Sequence, residues 1–368
     1  MSKVHIALVG GQPMPIHVGI EEFKAEKVIL VHSKESKKLA EDIKENVGLP
    51  CELQLFDSVD YPKIYEAADK LLGDLEQVEV VINISGGTKP WTVAFILLAQ
   101  QHRNTSVIYV DQNNVGYNFS TKESKMIERD LDIQTILRFN NYAIGSHTRF
   151  NSFTEEDLKA IRLVERIRKK NISEFNLLTI DNREMENINQ GKKKTLKGSY
   201  VEWDKKAKNV NIVLKTHYGE QSQKCSSPHI MSIAFNSGWF EIQVAEMLSH
   251  WEHAKEIILN AKFNYANNTP KNEIDIIVNM GNKLMFVECK TQIKQLTDLD
   301  KFTTAAKKYS GMGVKMLFVT KDKMNPKAEE KCLENRIIPF SIQNDGHIVP
   351  EAALFSLLNN EMFNINTK

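Results

Sequence analysis

The chain has 368 residues, 48 Lys+Arg against 47 Asp+Glu for a net charge of +1, 42% apolar residues and four cysteines. That length implies two or three domains with ample cores. The near-neutral balance argues against a broad polyanion-binding surface while leaving room for a local basic groove. Cys51, Cys225, Cys289 and Cys332 are scattered, with no CxxC and no histidine at zinc spacing, so no structural zinc is expected. Val4–Gly10 already reads as a strand, leaving no signal segment, and no apolar run reaches membrane-spanning length. A soluble, cytoplasmic, reduced protein is the expectation.

In chain order, strand-like runs at Val4–Gly10, Lys27–His32, Cys51–Phe56, Val78–Ser85 and Ser106–Asp111 alternate with helical patterns. The helical stretches are Ser36–Asn46, Tyr61–Leu75 and Pro90–His102. Buried, β-branched strands separated by amphipathic helices predict a parallel, doubly wound sheet, whose ligands bind beyond the carboxyl ends of the strands. Three polar segments leave those ends: Gly10-Gly-Gln-Pro-Met-Pro15, Ser85-Gly-Gly-Thr-Lys-Pro90 and Asp111-Gln-Asn-Asn114. In the second, Gly86 and Gly87 permit close backbone approach, and Pro90 suits a helix start. Free amides there, with Thr88 and Lys89, make an anion site; a plain strand-to-helix turn explains the glycines equally well. Neither GxGxxG nor GxxxxGK[ST] is present, which excludes the common dinucleotide fold and the P-loop.

A strand, then Ser85-Gly-Gly-Thr-Lys89, then a helix resembles the ligand-binding signature of CARF domains, the sensors associated with CRISPR systems. The resemblance covers about the first 145 residues, with serine at position 85 where threonine is more usual. It implies a Rossmann-like fold that binds a cyclic oligoadenylate across a homodimer. Ser85, Gly86, Gly87, Thr88 and Lys89 would then hold phosphate and ribose. Gly11, Gln12 and Pro13 would lie under the ligand, and Asp111, Gln112 and Asn113 would contact base or ribose. A ring of identical nucleotides suits a two-fold site.

Asn151–Lys170 reads as an amphipathic helix capped by Thr154 with Asp157 three residues on. Asn171 to Ser226 is irregular and basic, with Lys192, Lys193, Lys194, Lys197, Lys205, Lys206 and Lys208. A solvated connector is expected for that basic stretch, within a helical and basic connecting segment over 146–225; a phosphate-tracking surface is the alternative. Val201-Glu-Trp and Val210-Asn-Ile-Val-Leu predict a small hairpin within it.

Gly238-Trp-Phe-Glu241 opens a helix, and Lys271–Lys290 follows as a hairpin centred on Gly281-Asn282. Pairing outward from that turn sets Asp275 opposite Glu288 and Glu273 opposite Lys290, all on one face. Ile274, Ile276, Val278, Met285, Val287 and Cys289 then form an apolar reverse face. Two carboxylates roughly 5 Å apart are disfavoured unless a cation neutralises them. Mg²⁺ or Mn²⁺ takes such hard oxygen ligands, and a lysine beside it can manage water or phosphoryl charge.

These residues resemble the PD-(D/E)xK nuclease motif, with Asp275 as the first acid and Glu288-Cys289-Lys290 as the ExK. Glu241 fits the additional helix acid of such enzymes, although an acid in a first helical turn also suits the dipole. A helix over Leu299–Tyr309 and a strand over Val314–Thr320 complete that core order. The combination resembles type III CRISPR ancillary effectors: a sensor over 1–145, a connector over 146–225 and a nuclease domain over 226–368. It implies an α/β chain with two modules, activated by cyclic oligoadenylate (usually cyclic tetra-adenylate) and cleaving DNA or RNA. Asp275, Glu288 and Glu241 would be the metal ligands and Lys290 the assisting cation. Two other readings fit: a non-enzymatic ligand-dependent nucleic-acid-binding regulator, and a DNA-processing nuclease indifferent to cyclic nucleotides.

Overall fold

The computed structural model describes residues 2–111, 114–127, 131–139, 142–178, 188–235, 238–264, 270–281, 283–293, 295–310 and 314–363. Gln112, Asn113, Asn282 and the Gly311–Gly313 segment fall outside them. The chain divides into two compact units, Met1–Tyr142 and Ala143–Lys368.

In the first unit β1 (Lys3–Leu8), α1 (Pro13–Glu22), β2 (Lys27–His32), α2 (Lys37–Val47), β3 (Cys51–Leu55), α3 (Tyr61–Gly73), β4 (Glu79–Asn83), α4 (Lys89–Ala99) and β5 (Thr105–Val110) follow in turn. A hairpin, β6 (Val115–Asn118) and β7 (Glu123–Met126), and a short helix, α5 (Ile133–Arg138), complete it. The sheet order is β3-β2-β1-β4-β5-β6-β7, parallel through β5 and antiparallel beyond it. Both faces are covered. Ile6, Leu8, Ile29 and Ile82 pack with Trp91, Phe95 and Leu98, while Ala7, Val9, Val28 and Leu30 pack with Ile16, Ile20 and Ile43. Because β1 lies between β2 and β4, the winding reverses there and leaves a crevice beyond their carboxyl ends.

The second unit begins with β8 (Ile144–Arg149), α6 (Glu155–Arg168) and α7 (Ile172–Leu177). Next come β9 (Gln190–Lys194), β10 (Tyr200–Asp204), β11 (Asn209–Thr216) and β12 (Gly219–Ser226), then α8 (Ile230–Ala234) and α9 (Gly238–Ser249). The remainder is β13 (Glu256–Asn264), β14 (Pro270–Asn279), β15 (Leu284–Lys290), α10 (Thr297–Ser310), β16 (Lys315–Thr320), α11 (Pro326–Glu334), β17 (Ile337–Ser341), β18 (Gln343–Asn344), β19 (His347–Ile348) and α12 (Glu351–Phe363). The main sheet runs β17-β16-β15-β14-β13-β8, with parallel pairing among β15, β16 and β17. A second, antiparallel sheet runs β12-β11-β10-β9.

That second sheet corrects the expectation of a solvated connector over the basic stretch from Asn171 to about Ser226. Val201 and Trp203 on β10, with Val210, Ile212 and Leu214 on β11, are buried in one core with Phe235, Trp239 and the main sheet. Trp203 meets Phe235 edge-on at 5.8 Å between ring centroids. Each fully buried side chain of this size contributes roughly 1.5–3 kcal/mol. The lysines disguised this core because β9, Gln-Gly-Lys-Lys-Lys, is an edge strand, where lysine discourages further pairing. The hairpin expected from Val201 and Val210 is present, with Val201 opposite Ile212 and Trp203 opposite Val210.

Helix α6 starts with the expected capping box, Thr154 and Asp157. The Asp157 carboxylate also accepts from the His229 amide at 2.9 Å and lies 3.0 Å from His229 Nδ1. Although burial works against ionisation, these bonds hold the carboxyl down at about 2. The wholly buried side chain ties α6 to the segment before α8. No helix among the described residues is long and apolar enough to cross a membrane.

Candidate functional sites

The glycine loops of the first unit leave adjacent strands. Gly10 follows β1, and Ser85–Thr88 links β4 to α4. The two loops meet backbone to backbone: a Cβ on Gly10 would lie 2.5 Å from the Gly87 nitrogen, and one on Gly86 would lie 2.5 Å from the Leu8 carbonyl oxygen. Gly87 has φ +80°, in the left-handed region that glycine tolerates. A Cβ on Gly11, by contrast, would meet nothing.

Asn83, buried at the end of β4, organises this turn. Its Oδ1 accepts from the Ser85 amide at 3.0 Å and from Ser85 Oγ, while its Nδ2 donates to the Ile16 carbonyl at 3.2 Å. Ser85 Oγ in turn accepts from the Val110 amide at 2.7 Å. Ser85 is therefore a structural clip between β4 and β5. Thr88 is the N-cap of α4, accepting from the Trp91 amide, and Pro90 occupies the first helical turn. Among the described residues no hydrogen bond uses the amides of Gly86, Gly87, Thr88 or Lys89. Those amides lie at the positive end of the helix dipole, and the exposed Lys89 adds a full charge.

Gln12 is the exposed N-cap of α1, and Pro13 stands in its first turn rather than in an open loop. Helix α1 has no clear sequence signature, because Pro-Met-Pro and an internal glycine read as loop. The Asp111 carboxylate accepts from the Val115 amide at 2.8 Å and shapes the turn into β6. Asn83 and Gly10 went unrecognised as organising residues. An asparagine closing an otherwise apolar strand was the one available signal.

In the second unit, the β14–β15 ladder pairs Ile276 with Val287, Ile277 with Phe286, Val278 with Met285 and Asn279 with Leu284. Over these four pairs the register is the expected one. Beyond Ile276 the Asp275 carboxylate takes over from the ladder, its Oδ2 accepting from the Cys289 amide at 2.8 Å. Lys290 Nζ donates to Glu288 Oε1 and lies 3.8 Å from Asp275 Oδ2. The apolar reverse face is buried as expected. Ile277 and Phe286 on the acidic face are buried too, and Phe263, stacked on Tyr309 at 3.9 Å, extends that packing. On its other side Glu273 has Lys262 of β13 opposite it and 3.9 Å away.

Glu241, in the first turn of α9, joins the electrostatic cluster. Burial, and then the charge of Asp275, push its carboxyl well above the usual range. Burial likewise raises Asp275. Burial and repulsion from Asp275 push Glu288 up to about 7. Lys290 is held above its usual range because the two acids outweigh its burial. Three acids facing a single lysine are under-neutralised. Among the described residues no three His, Cys, Asp or Glu side chains converge tightly enough to hold a metal ion between them. Mg²⁺ needs only one or two carboxylates, with water and phosphate oxygens completing its shell. Asp275 and Glu288 fit that requirement chemically, and their raised protonation shows what a cation would relieve. Gln292, just past β15, donates to Asp322 Oδ2 at 2.9 Å.

A second polar group behind this end of the sheet was missed. The buried Lys321, just past β16, lies 2.5 Å from Glu165 Oε1 on α6 and donates to Gln243 on α9. Its amide donates to the Lys290 carbonyl at 3.2 Å. Arg168 stacks on Trp239 close by.

Residues 4–142, the whole described extent of the first unit beyond its first strand residues, match the family described as the Card1 CARF domain. The first unit is a CARF domain. The chain is similar to the structure of Can2 from Sulfobacillus thermosulfidooxidans in complex with cyclic tetra-adenylate, at 19% identity and TM-score 0.66, covering 97% of this chain and 98% of that one. It is also similar to the crystal structure of protein VC1899 from Vibrio cholerae, at 11% identity and TM-score 0.67, covering 96% of each chain. A third likeness is to a type III CRISPR defence DNA nuclease activated by cyclic oligoadenylate, at 12% identity and TM-score 0.60. That match covers 98% of this chain but 52% of the other. Comparison with curated proteins gives no match. The similarities extend over both units, so the α/β architecture beyond the CARF domain is shared as well.

Proposed function

We propose that this chain is a cyclic-oligoadenylate-activated, metal-dependent endonuclease of type III CRISPR defence. The observation that carries the reading is the grouping of Asp275, Glu288 and Lys290 at one end of a hairpin, in a chain whose first unit is a CARF domain. The ligand of the Can2 structure suggests cyclic tetra-adenylate as the activator.

In the first unit the unspent amides of Gly86–Lys89 receive phosphate, and Lys89 balances its charge. Gly11, Gln12 and Pro13 would lie under the ligand, and Asp111, Gln112 and Asn113 are the proposed contacts to base or ribose. A homodimer completes a site for a symmetric ring. Helix α4 supports that: its sequence, Lys-Pro-Trp-Thr-Val-Ala-Phe-Ile-Leu-Leu-Ala, is apolar nearly all round, yet Val93 and Leu97 are 48% and 44% exposed. An all-round apolar helix calls for a covering surface.

In the second unit Asp275 and Glu288 hold Mg²⁺ or Mn²⁺, with Glu241 as a further acid. The ion, when bound, acidifies a water and polarises the phosphodiester. Lys290 stays protonated and neutralises charge as it builds on the phosphoryl oxygens. Asp275 keeps the Cys289 amide bonded and so holds the two strand ends together. The activator must bind one arrangement of the dimer more tightly than another to switch cleavage on.

The test is cleavage of labelled single-stranded DNA, RNA and plasmid with Mn²⁺, with and without cyclic tetra-adenylate, against Glu288→Ala. Cleavage that requires both ligand and Glu288 is expected. Cleavage indifferent to ligand would leave a DNA-processing nuclease, and tight ligand binding without any cleavage would leave a regulator.

A further inference from the structure

The sheet β9–β12 carries a feature that neither site uses. The β11–β12 turn is Thr216-His217-Tyr218-Gly219, and Tyr218 is 95% exposed at its tip. Polar residues normally fill such a turn; an aromatic there gains nothing from folding. The β9–β10 turn, Thr195–Ser199, carries Leu196, which is fully exposed. The two tips lie side by side at one end of the sheet. Tyr200 pairs with Val213, the Lys215 amide donates to Ser199 Oγ at 2.9 Å, and a Cβ on Gly198 would lie 3.6 Å from Lys215 Cε.

Their charge is mostly positive. Lys215 is paired with Glu220, but Lys194 and Lys197 have no ion-pair partner among the described residues. The tips are also tied to the acidic end of the main sheet. Asn171 Nδ2 donates to the Lys215 carbonyl at 2.8 Å. Asn171 follows α6, whose last turns hold Glu165 against Lys321, and the Lys321 amide bonds the Lys290 carbonyl. Lys169 and Lys170 lie exposed between residues 165 and 171, Lys169 within 3.3 Å of Glu165. Hydrogen bonds and ion pairs thus link the end of β15, through the end of α6 with its exposed Lys169 and Lys170, to the aromatic tip.

We propose that these tips and the end of α6 bind single-stranded nucleic acid, with Tyr218 stacking on an unpaired base and Lys197 contacting phosphate. The identity of the strand as substrate rests on the nuclease reading above; the binding surface itself does not. A single strand fits because it offers open base faces to an exposed ring, which a duplex hides, and lysines track its backbone without reading sequence.

The experiment measures binding of a fluorescent oligothymidylate and of a duplex of equal length to the full chain in EDTA, where no metal supports cleavage. Tyr218→Ala is expected to weaken single-strand binding about fivefold or more while leaving duplex binding unchanged. Lys197→Glu is expected to weaken binding and to flatten the dependence of log K on log salt by about 0.7. Lys206→Glu makes the same charge change in the β10–β11 turn, at the opposite end of this sheet, and is expected to have little effect. Because Tyr218 is exposed, an unchanged melting temperature should accompany its replacement. The proposal is overturned if the wild-type chain does not bind the single strand. It is equally overturned if Tyr218→Ala and Lys197→Glu weaken binding no more than Lys206→Glu, or if Tyr218→Ala weakens duplex equally. Running cleavage with Mn²⁺ alongside separates the two readings. Tyr218-dependent binding without cleavage sinks the nuclease alone, and cleavage with Tyr218-independent binding sinks this surface alone.

Discussion

The two sites are built on opposite electrostatic principles. In the CARF unit the loop Ser85–Lys89 is shaped by satisfied bonds: Asn83 fixes Ser85, Thr88 caps α4, and glycine backbones interlock. Its spare capacity is a set of amides, dipolar and uncharged, which cost little to leave in water. In the second unit, Asp275, Glu288 and Glu241 are partly or wholly withdrawn from water and answered by one lysine. The first loop keeps free donors that would suit an anion at little cost to stability. The second stores repulsion that a cation would remove, so here function and stability pull apart.

The sharpest break of that comparison is neutralisation of one acid. Asp275→Asn or Glu288→Gln should reduce metal-dependent cleavage by at least about 100-fold. Without metal the Glu288→Gln chain should melt a few degrees higher, since about 1 kcal/mol moves the midpoint of a unit this size by about 2–4 °C. A calorimetric scan showing a lower midpoint would contradict stored repulsion.

In the first unit the contrast lies between neighbouring glycines. Gly86→Ala drives a Cβ to 2.5 Å from a backbone oxygen, so it should cost about 3 kcal/mol and abolish binding of cyclic tetra-adenylate. Gly11→Ala has open space and should leave the fold unchanged. Thermal melting and ligand titration of both variants check this.

Asp157→Asn tests a buried acid of the opposite kind, one whose partners hold its carboxyl down at about 2. Loss of its charge-assisted bonds should cost roughly 2 kcal/mol. In the wild type that contribution is present above the unfolded carboxyl range near 3.8 and lost as pH falls through about 2. Urea melts of the two proteins at neutral and acid pH provide the measurement.

The smallest effect is a pH profile. Glu288 has a folded pKa of about 7, above its ordinary 4.5. The neutral carboxyl therefore adds stability that is complete below about 4.5 and fades as pH rises through about 7. Over the same interval Mn²⁺ should bind more tightly and release protons, measurable by calorimetry in buffers of different ionisation heat.

Much of this architecture is legible in the residues. The β1–β5 strands and the β14–β15 register follow from apolar period and turn chemistry, and that register brings Asp275 and Glu288 to the same lysine, Lys290. What stayed hidden depends on neighbours distant in sequence. Lys262 claims Glu273 because β13 lies on the far side of β14, and a hairpin alone does not reveal its outer partner. Lys321 joins Glu165 and Gln243 across more than seventy residues. The β9–β12 sheet was obscured because its lysines dominate local composition while its apolar residues alternate quietly beneath.

The bond from the Cys289 amide to Asp275 has one more implication, for hydrogen exchange. Most amides in β15 are guarded by backbone carbonyls, whose acceptor strength does not titrate. This one is guarded by an acid that gains or loses a proton and would share its oxygens with a bound cation. Its exchange rate therefore reports the charge state of this carboxylate cluster directly, in the resting protein.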